Sequence, residues 1–471
     1  MDRSSYGGVY HNSYAPNHLT NDLLSLYGWL SLHQKECIVK EIMVVKGKKE
    51  EDYDVIVVGG GASGMMAAGR AAELGARVLV LEKNSRLGEK LLITGGGRSN
   101  ITNQEYDNRK LLTKFKDKAQ FLFSPFAQFS VKETLNFFHA HGMETKIEAE
   151  GRMFPASEKA ETVWETLLAY LKEGGVKVRS NAEVAGFATK EGKIVGVRIL
   201  GSSTSKLEVL NAGAYILATG GTSRPETGST GDGFKWLAKL GHTVRTPDPA
   251  LVPIKTKEKW VHQLSGLAFK EVRVSLFQNE KPHGKRVGKI LFTHVGLSGP
   301  LILNMSKDIG ELLKYGPASL VVDLFPTQDL GTLDRTIQEI FKKAQNKKLK
   351  NVLGELVPNT LAVLLPQLLK LDGDKEINKV SKEERRHLAK FLKAIPLTPT
   401  GLLGTDKAVV VSGGINLKEI DLKTMRSRTY DNLYVVGDVL DIDRPSGGYS
   451  LQLCWTTGWV AGTHAAEKRD K

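Results

Sequence analysis

A chain of 471 residues, with 41% hydrophobic and 25% charged residues, is too long for one ordinary core, so two or three domains are expected. Two cysteines, Cys37 and Cys454, without C-x-x-C spacing leave a disulfide framework, a zinc site and a dithiol relay unsupported and point to a reducing cytoplasm. The net charge of +14 suits polyanionic partners, and no segment approaches the roughly 18 to 20 apolar residues of a membrane span.

Residues 1–52 read as an extension ahead of the first domain. Their apolar run at 23–32 is short, interrupted by Ser25 and Ser31, and preceded by Asn21 and Asp22 in place of a basic cluster, which makes a poor signal peptide. Six basic against seven acidic residues give this segment no share of the positive excess. It is a tail, or a product of start-site choice with Met43 as the true start.

From Tyr53 the pattern sharpens. Val55, Ile56, Val57 and Val58 form a β-branched run of the kind found in a parallel strand buried on both faces. Gly59, Gly61 and Gly64 follow as G-x-G-x-x-G around Ala62 and Ser63. The first glycine permits the tight turn, the second the approach of backbone to a pyrophosphate, and the third close helix–strand packing. Residues 65–74 are good helix formers, with Gly75 as the cap. A second strand at 77–81 delivers Glu82 and Lys83, the acid lying roughly 20 residues on, where a carboxylate meets ribose hydroxyls. Strand, helix, strand and acid in register predict an adenine dinucleotide with its phosphates on a helix N-terminus.

Farther along, Lys90 leads into Thr94-Gly95-Gly96-Gly97-Arg98-Ser99-Asn100, glycines beside small polar groups, which suits close backbone approach to a flat ligand with polar edges such as a flavin. Residues 174–200, including Val184, read as a small β meander, and 215–221 as a buried strand ending at Thr219, Gly220 and Gly221. Near the C-terminus, 433–438 repeats the strand, glycine, acid pattern at Gly437 and Asp438, and Gly448, Tyr449, Ser450 and Leu451 open a final helix through Gly462. Between them, 250–328 holds short β-prone runs at 272–276, 289–293 and 320–324, while 331–395 shows helical spacing.

The chain resembles the BaiN/RdsA group of FAD-dependent oxidoreductases, within the flavoproteins that share a glutathione-reductase-like FAD domain. The resemblance rests on the Gly59 fingerprint, residues 94–103, 218–221 with 228–233, Thr293-His294-Val295-Gly296-Leu297-Ser298-Gly299-Pro300, and 437–441 leading to Gly447, Gly448 and Tyr449. It implies an α/β fold with a discontinuous Rossmann-like FAD domain (53–249 and 412–471), a β-barrel-like insert (250–330 and 396–411) and a helical insert (331–395). FAD is the implied cofactor, on Gly59, Gly61, Ala62, Ser63, Gly64, Glu82, Lys83, Lys90, Gly96, Gly97, Arg98, Ser99, Asn100, Val184, Thr219, Gly220, Gly437, Asp438, Gly448, Tyr449, Ser450 and Leu451. Many relatives carry Cys after the motif arginine; Ser99 here argues against a required thiol.

Charge bears on substrate. Residues 250–395 carry 25 Lys/Arg against 15 Asp/Glu, +10 of the total +14, so the excess sits on the inserts and suits RNA phosphates as well as it suits solvated helix faces. Members of the resembled family reduce uridine in 23S rRNA to dihydrouridine, and others reduce small steroid-like acids. The resemblance together with the charge favours rRNA, with NAD(P)H as transient donor, hydride passing by way of the flavin to C6 of a pyrimidine and a proton to C5. His294, Arg98, Asn100 and Tyr449 are the candidates for orienting, hydrogen-bonding and proton donation. Each has a plainer alternative: His294 as a structural hydrogen-bonder, Arg98 paired with a carboxylate, Tyr449 capping the flavin. A second complete G-x-G-x-x-G after a strand is absent, so a separate NAD(P)H domain is not expected. A small-molecule ene-reductase and a non-catalytic FAD-containing ribosome factor are the competing expectations.

Overall fold

The computed structural model describes residues 53–200, 207–404 and 410–467; the extension expected at 1–52 lies outside the described residues. The fold is α/β and built around two seven-stranded sheets. In the first, the run at 55–58 is buried on both sides as its composition predicts. Its strand, Tyr53–Val58, pairs in parallel with Val78–Leu81 and with Ala212–Leu217. Lys177–Arg179 continues one flank in parallel and Leu433–Val435 the other. Ile420–Asp421 and Arg426–Ser427 finish that edge antiparallel. Val58 stands beside both Leu81 and Leu217, so three strands end at one level, where open α/β sheets bind ligands.

The helix Ala62–Glu73 covers this sheet, and the final helix Tyr449–Ala466 lies along it. A Cβ on Gly458 would stand 2.5 Å from the Ser63 carbonyl oxygen, and one on Gly462 2.4 Å from that of Ala67. Two glycines one turn apart therefore let the backbones of the first and last helices touch. One expectation needs correcting: residues 174–200 do not form a single meander. Lys177–Arg179 joins the parallel sheet, because 177–179 align with 79–81. Val184–Lys190, Lys193–Leu200 and Leu207–Leu210 make a separate antiparallel sheet.

The second large sheet runs in the order Ile395–Leu397, Ala318–Asp323, Ala268–Gln278, Lys281–Thr293, Gly296–Ser298, Ile254–Thr256, Pro399–Leu402, with antiparallel pairings throughout. Its core is separate from that of the parallel sheet: one core spans Ile254 to Leu397, while the other takes Val55 to Leu237 and Ile415 to Ala465. The helices Leu330–Lys343, Asn359–Leu369 and Lys382–Lys393 pack into the same apolar cluster as the second sheet. Lys393 ties them down, donating to Asp323 Oδ2 (2.7 Å) and to the carbonyls of Phe325 (2.7 Å) and Gln328 (2.6 Å). The two crossings between the regions pair with each other, Val244–Ala250 against Val410–Ile415. Among the described residues, no helix is long and apolar enough to cross a membrane.

Candidate active site

At the carboxyl end of Tyr53–Val58 the chain turns at Gly59, whose N–H donates to the Leu81 carbonyl at 2.8 Å. Gly64 has no room for a side chain, since a Cβ would fall 1.9 Å from the Gly59 carbonyl oxygen. Gly61 caps the helix Ala62–Glu73 without any side-chain acceptor on the first-turn N–H groups, and a Cβ there meets nothing within 4 Å. The helix N-terminus therefore presents free donors and its positive dipole end to open space lined by Gly59, Gly61, Ala62 and Ser63.

Glu82 is buried beside this turn. Its Oε2 accepts from Gly60 N–H (2.8 Å) and its Oε1 from Asn84 N–H (2.8 Å); each oxygen retains a lone pair for a hydroxyl donor. Lys83 reaches across to Thr230 Oγ1 (2.5 Å) and Asp232 Oδ2 (3.3 Å). Burial opposes ionisation of Asp232, but hydrogen bonds from Thr230, Lys235 and Lys83 prevail and hold its carboxyl below the usual range. The loop around Gly228 is thereby tied over the Glu82 end of the site.

From here a cavity of about 920 Å³ extends past Val184, Thr219 and Gly220 to Lys90, Asp438, Gly96, Arg98, Asn100, Gly448, Ser450 and Leu451. Its central charge is Asp438. Lys90 Nζ donates to Asp438 Oδ2 (3.3 Å) and to Ser223 Oγ (2.5 Å), and Arg444 donates to Asp438 Oδ1 and to the Ile442 carbonyl (2.7 Å). Burial alone would raise the Asp438 carboxyl, but the Arg444 and Lys90 charges overcome it and keep the group ionised. Cys454 also lines the cavity; burial, with the Asp438 charge, pushes its thiol up to about 12, so it stays neutral.

The residues fit an adenine dinucleotide on three counts: an uncapped helix N-terminus facing open space, a buried acid beside the turn, and buried polar atoms in or beside the cavity that lack partners among the described residues, Thr219 Oγ1 and Arg98 Nε. Gly64, Gly97, Ser99 and Gly437 stand behind this lining. Gly97 accepts from Ala160 N–H (2.8 Å), Ser99 is fully buried, and Gly437 N–H donates to Thr457 Oγ1 (3.1 Å).

The four candidates for chemistry separate. Arg98 lines the cavity, its guanidinium 4.4 Å over the Phe154 ring, and pairs with Glu148 and with Glu158 (3.5 Å). The Arg98 hydrogen bond holds the Glu148 carboxyl low. Asn100, with its amide oriented to satisfy its neighbours, donates to the carbonyls of Met153 (3.0 Å) and Thr102 (2.9 Å) and accepts from Gly448 N–H (2.9 Å). Its hydrogen bonds are spent on pinning the start of the final helix. Tyr449 is buried edge-on to Phe115 (6.2 Å between ring centroids), outside the cavity lining, and burial, reinforced by Glu105 and Glu150, pushes its phenol up. His294 sits exposed in the turn after Lys281–Thr293, also outside the lining.

The far end holds residues that local patterns do not reveal. Glu150, Arg152 and Phe154 come from the strand Arg152–Pro155, which pairs with Thr102–Asn103, and the turn before it, Leu251 and Lys289 from the insert region, and Pro300 and Leu303 from the helix Pro300–Tyr315. They meet only in the fold. Arg444 had a local signal, as the cation nearest Asp438 in the segment 438–444, a spacing readable as an ion pair.

A Rossmann sheet with this cradle and FAD as its cofactor defines the chain as an FAD-dependent oxidoreductase. Residues 53–464 match the family described as HI0933-like protein Rossmann domain, and the chain belongs to that family. It is 30% identical over 418 residues to a 3-dehydro-bile acid delta(4,6)-reductase of Clostridium scindens, covering 88% of this chain and 98% of that one. It is 29% identical over 412 residues to a ribosomal RNA dihydrouridine synthase of Escherichia coli K12, covering 87% and 97%. Among solved structures, a 3-ketosteroid delta1-dehydrogenase of Sterolibacterium denitrificans shares the fold, with a TM-score of 0.52 at 17% identity over 88% of this chain and all of that one.

Proposed function

We propose that this protein reduces a carbon–carbon double bond, and that its substrate is uridine in 23S rRNA: uridine, NAD(P)H and a proton give dihydrouridine and NAD(P)+. The observation that carries the reading is the +10 charge of residues 250–395 together with the opening of the cavity onto that region at Lys289, Pro300 and Leu303. A surface of this kind attracts phosphates, and the likeness to the rRNA dihydrouridine synthase accords with it. In this reading residues 53–249 and 412–471 form the FAD-binding domain, 250–330 with 396–411 the β insert, and 331–395 the helical insert.

FAD, when bound, supplies two-electron transfer between the nicotinamide and the pyrimidine. The first-turn N–H groups at Ala62, Ser63 and Gly64 would hold its pyrophosphate, Glu82 its ribose, and Asp438 a hydroxyl of its other half. We assign to Arg98, whose side chain lines the cavity, the hydrogen bond to a carbonyl that gains charge during reduction. Asn100 and Tyr449 act by setting the backbone at Gly448. His294, exposed on the insert, contacts RNA in place of the reacting base.

Phe154, Leu251, Pro300 and Leu303 give the far end apolar walls, which favours one second reading, an ene-reductase of small steroid-like acids, in keeping with the bile acid reductase relative. Purified holoenzyme given NADPH and unmodified 23S rRNA decides between them. The rRNA reading expects dihydrouridine by nucleoside mass spectrometry and slow turnover of a 3-oxo-4-ene steroid acid; the reverse pattern overturns it.

A further inference from the structure

We infer that the outward face of the hairpin formed by Ala268–Gln278 and Lys281–Thr293 is the track along which an RNA strand is led to the cavity, with Lys285 and Lys289 as its phosphate contacts. The inference rests on the rRNA reading and selects one part of the basic inserts over the other.

The strand Lys281–Thr293 has two faces. Ile290 and Phe292 are buried in the core, and Gly288 lies against Leu301 of the helix Pro300–Tyr315. Arg286, on that same face, donates to the Asn304 carbonyl (2.7 Å) and to Asp308 Oδ2 (2.8 Å) of that helix. By strand alternation Lys285, Val287 and Lys289 point the other way, and all three are exposed, Val287 by 51%. Lys285 and Lys289 are four residues apart, about 14 Å along an extended strand. Neither forms an ion pair among the described residues. Lys289 also lines the cavity, so the row of cations ends at the chemical site.

The helical insert is different, although it is just as basic. Lys348 and Lys350 pair with Asp374 (2.8 Å each), Lys375 with Glu384 (2.8 Å), Arg385 with Asp334 (2.8 Å) and Lys393 with Asp323 (2.7 Å). Six of its fourteen cations are answered by carboxylates, and none of its residues lines the cavity. Exposed cations such as Lys342 and Lys343 occur on that insert as well, but only the hairpin leads to the chemical site, where a phosphate contact that releases counterions also brings the base to the cavity.

The test measures binding of the FAD-loaded protein to in vitro transcribed 23S rRNA across a salt series. K285Q/K289Q is compared with K342Q/K343Q, an equal charge change at exposed positions of the helix Leu330–Lys343; thermal unfolding followed by circular dichroism confirms that the inserts of each are folded. Expected is a roughly tenfold loss of affinity for the hairpin variant, with a salt slope shallower by about 1.5, the size of two lost phosphate contacts, and little change for the helical variant. If the wild type does not bind RNA, the rRNA reading itself fails. If the wild type binds and the helical variant alone weakens, or neither does, the rRNA reading stands and the hairpin track is overturned.

Discussion

The two seven-stranded sheets solve opposite problems. The parallel sheet is buried on both faces and spends its glycines and single acids on one small ligand; the antiparallel sheet covers one face with helices and leaves lysines on the other. The first sheet is specified by sterics, where one added methyl group is ruinous, and the second by charge, where several positions share the effect. Substitutions should therefore act sharply in one region and gradually in the other.

The largest expected effect is at Gly64. Gly64→Val forces atoms into the Gly59 carbonyl, and a loss of about 3 kcal/mol or more, with loss of FAD, is expected in thermal unfolding and flavin absorbance. Normal FAD content in this variant would break the steric account. Next comes Asp438→Asn, which leaves the Arg444 guanidinium, with a side chain 1% exposed, without its anion, at roughly 3 kcal/mol. The sign with pH follows from the same group. The folded carboxyl titrates below its ordinary 3.8, so the stability it adds is fully present above that value and is lost as pH falls through the folded value. Acid-induced FAD release by the wild type is expected to begin below pH 3.8; a release curve unchanged by the substitution would contradict the role given to Asp438.

Lys393→Met addresses the independence of the regions. It leaves Asp323 and two carbonyls short of a donor, at about 2 kcal/mol, and should lower the unfolding of the insert while flavin absorbance persists to the wild-type temperature. A single shifted transition would show the two cores to be one cooperative unit. Smallest is Arg286→Gln on the covered face of the hairpin. Its half-exposed pair with Asp308 contributes under about 1 kcal/mol, and RNA affinity should hardly change.

The same contrast governs how far the molecule can be read from its residues. The Gly59 cradle was legible because strand, turn, helix and Glu82 all lie within thirty-odd residues of chain, the span the fingerprint demands. Lys177 is not legible as part of the parallel sheet, because an edge strand there carries the same short β signal as a meander strand. Gly458 and Gly462 went unread as packing residues, since their partners, Ser63 and Ala67, lie at the other end of the chain. Tyr449 and His294 stand in distinctive motifs yet lie outside the cavity lining, which shows that a motif marks a place in the fold before it marks a role in chemistry. Lys289 opens a β-prone run, but nothing local places it at the cavity; the pairing of its neighbours Gly288 and Ile290 with Val272 and Phe269 and the helix beside it bring it to the cavity mouth.

The most direct measurement is dihydrouridine in 23S rRNA by nucleoside mass spectrometry, in cells with the gene, without it, and complemented by Gly61→Asp. A side chain at Gly61 enters open space, so the variant should fold while its carboxylate repels the pyrophosphate. Dihydrouridine that disappears with the gene, and is restored by the wild type but not by the variant, is the predicted result; levels that do not depend on the gene would contradict the account.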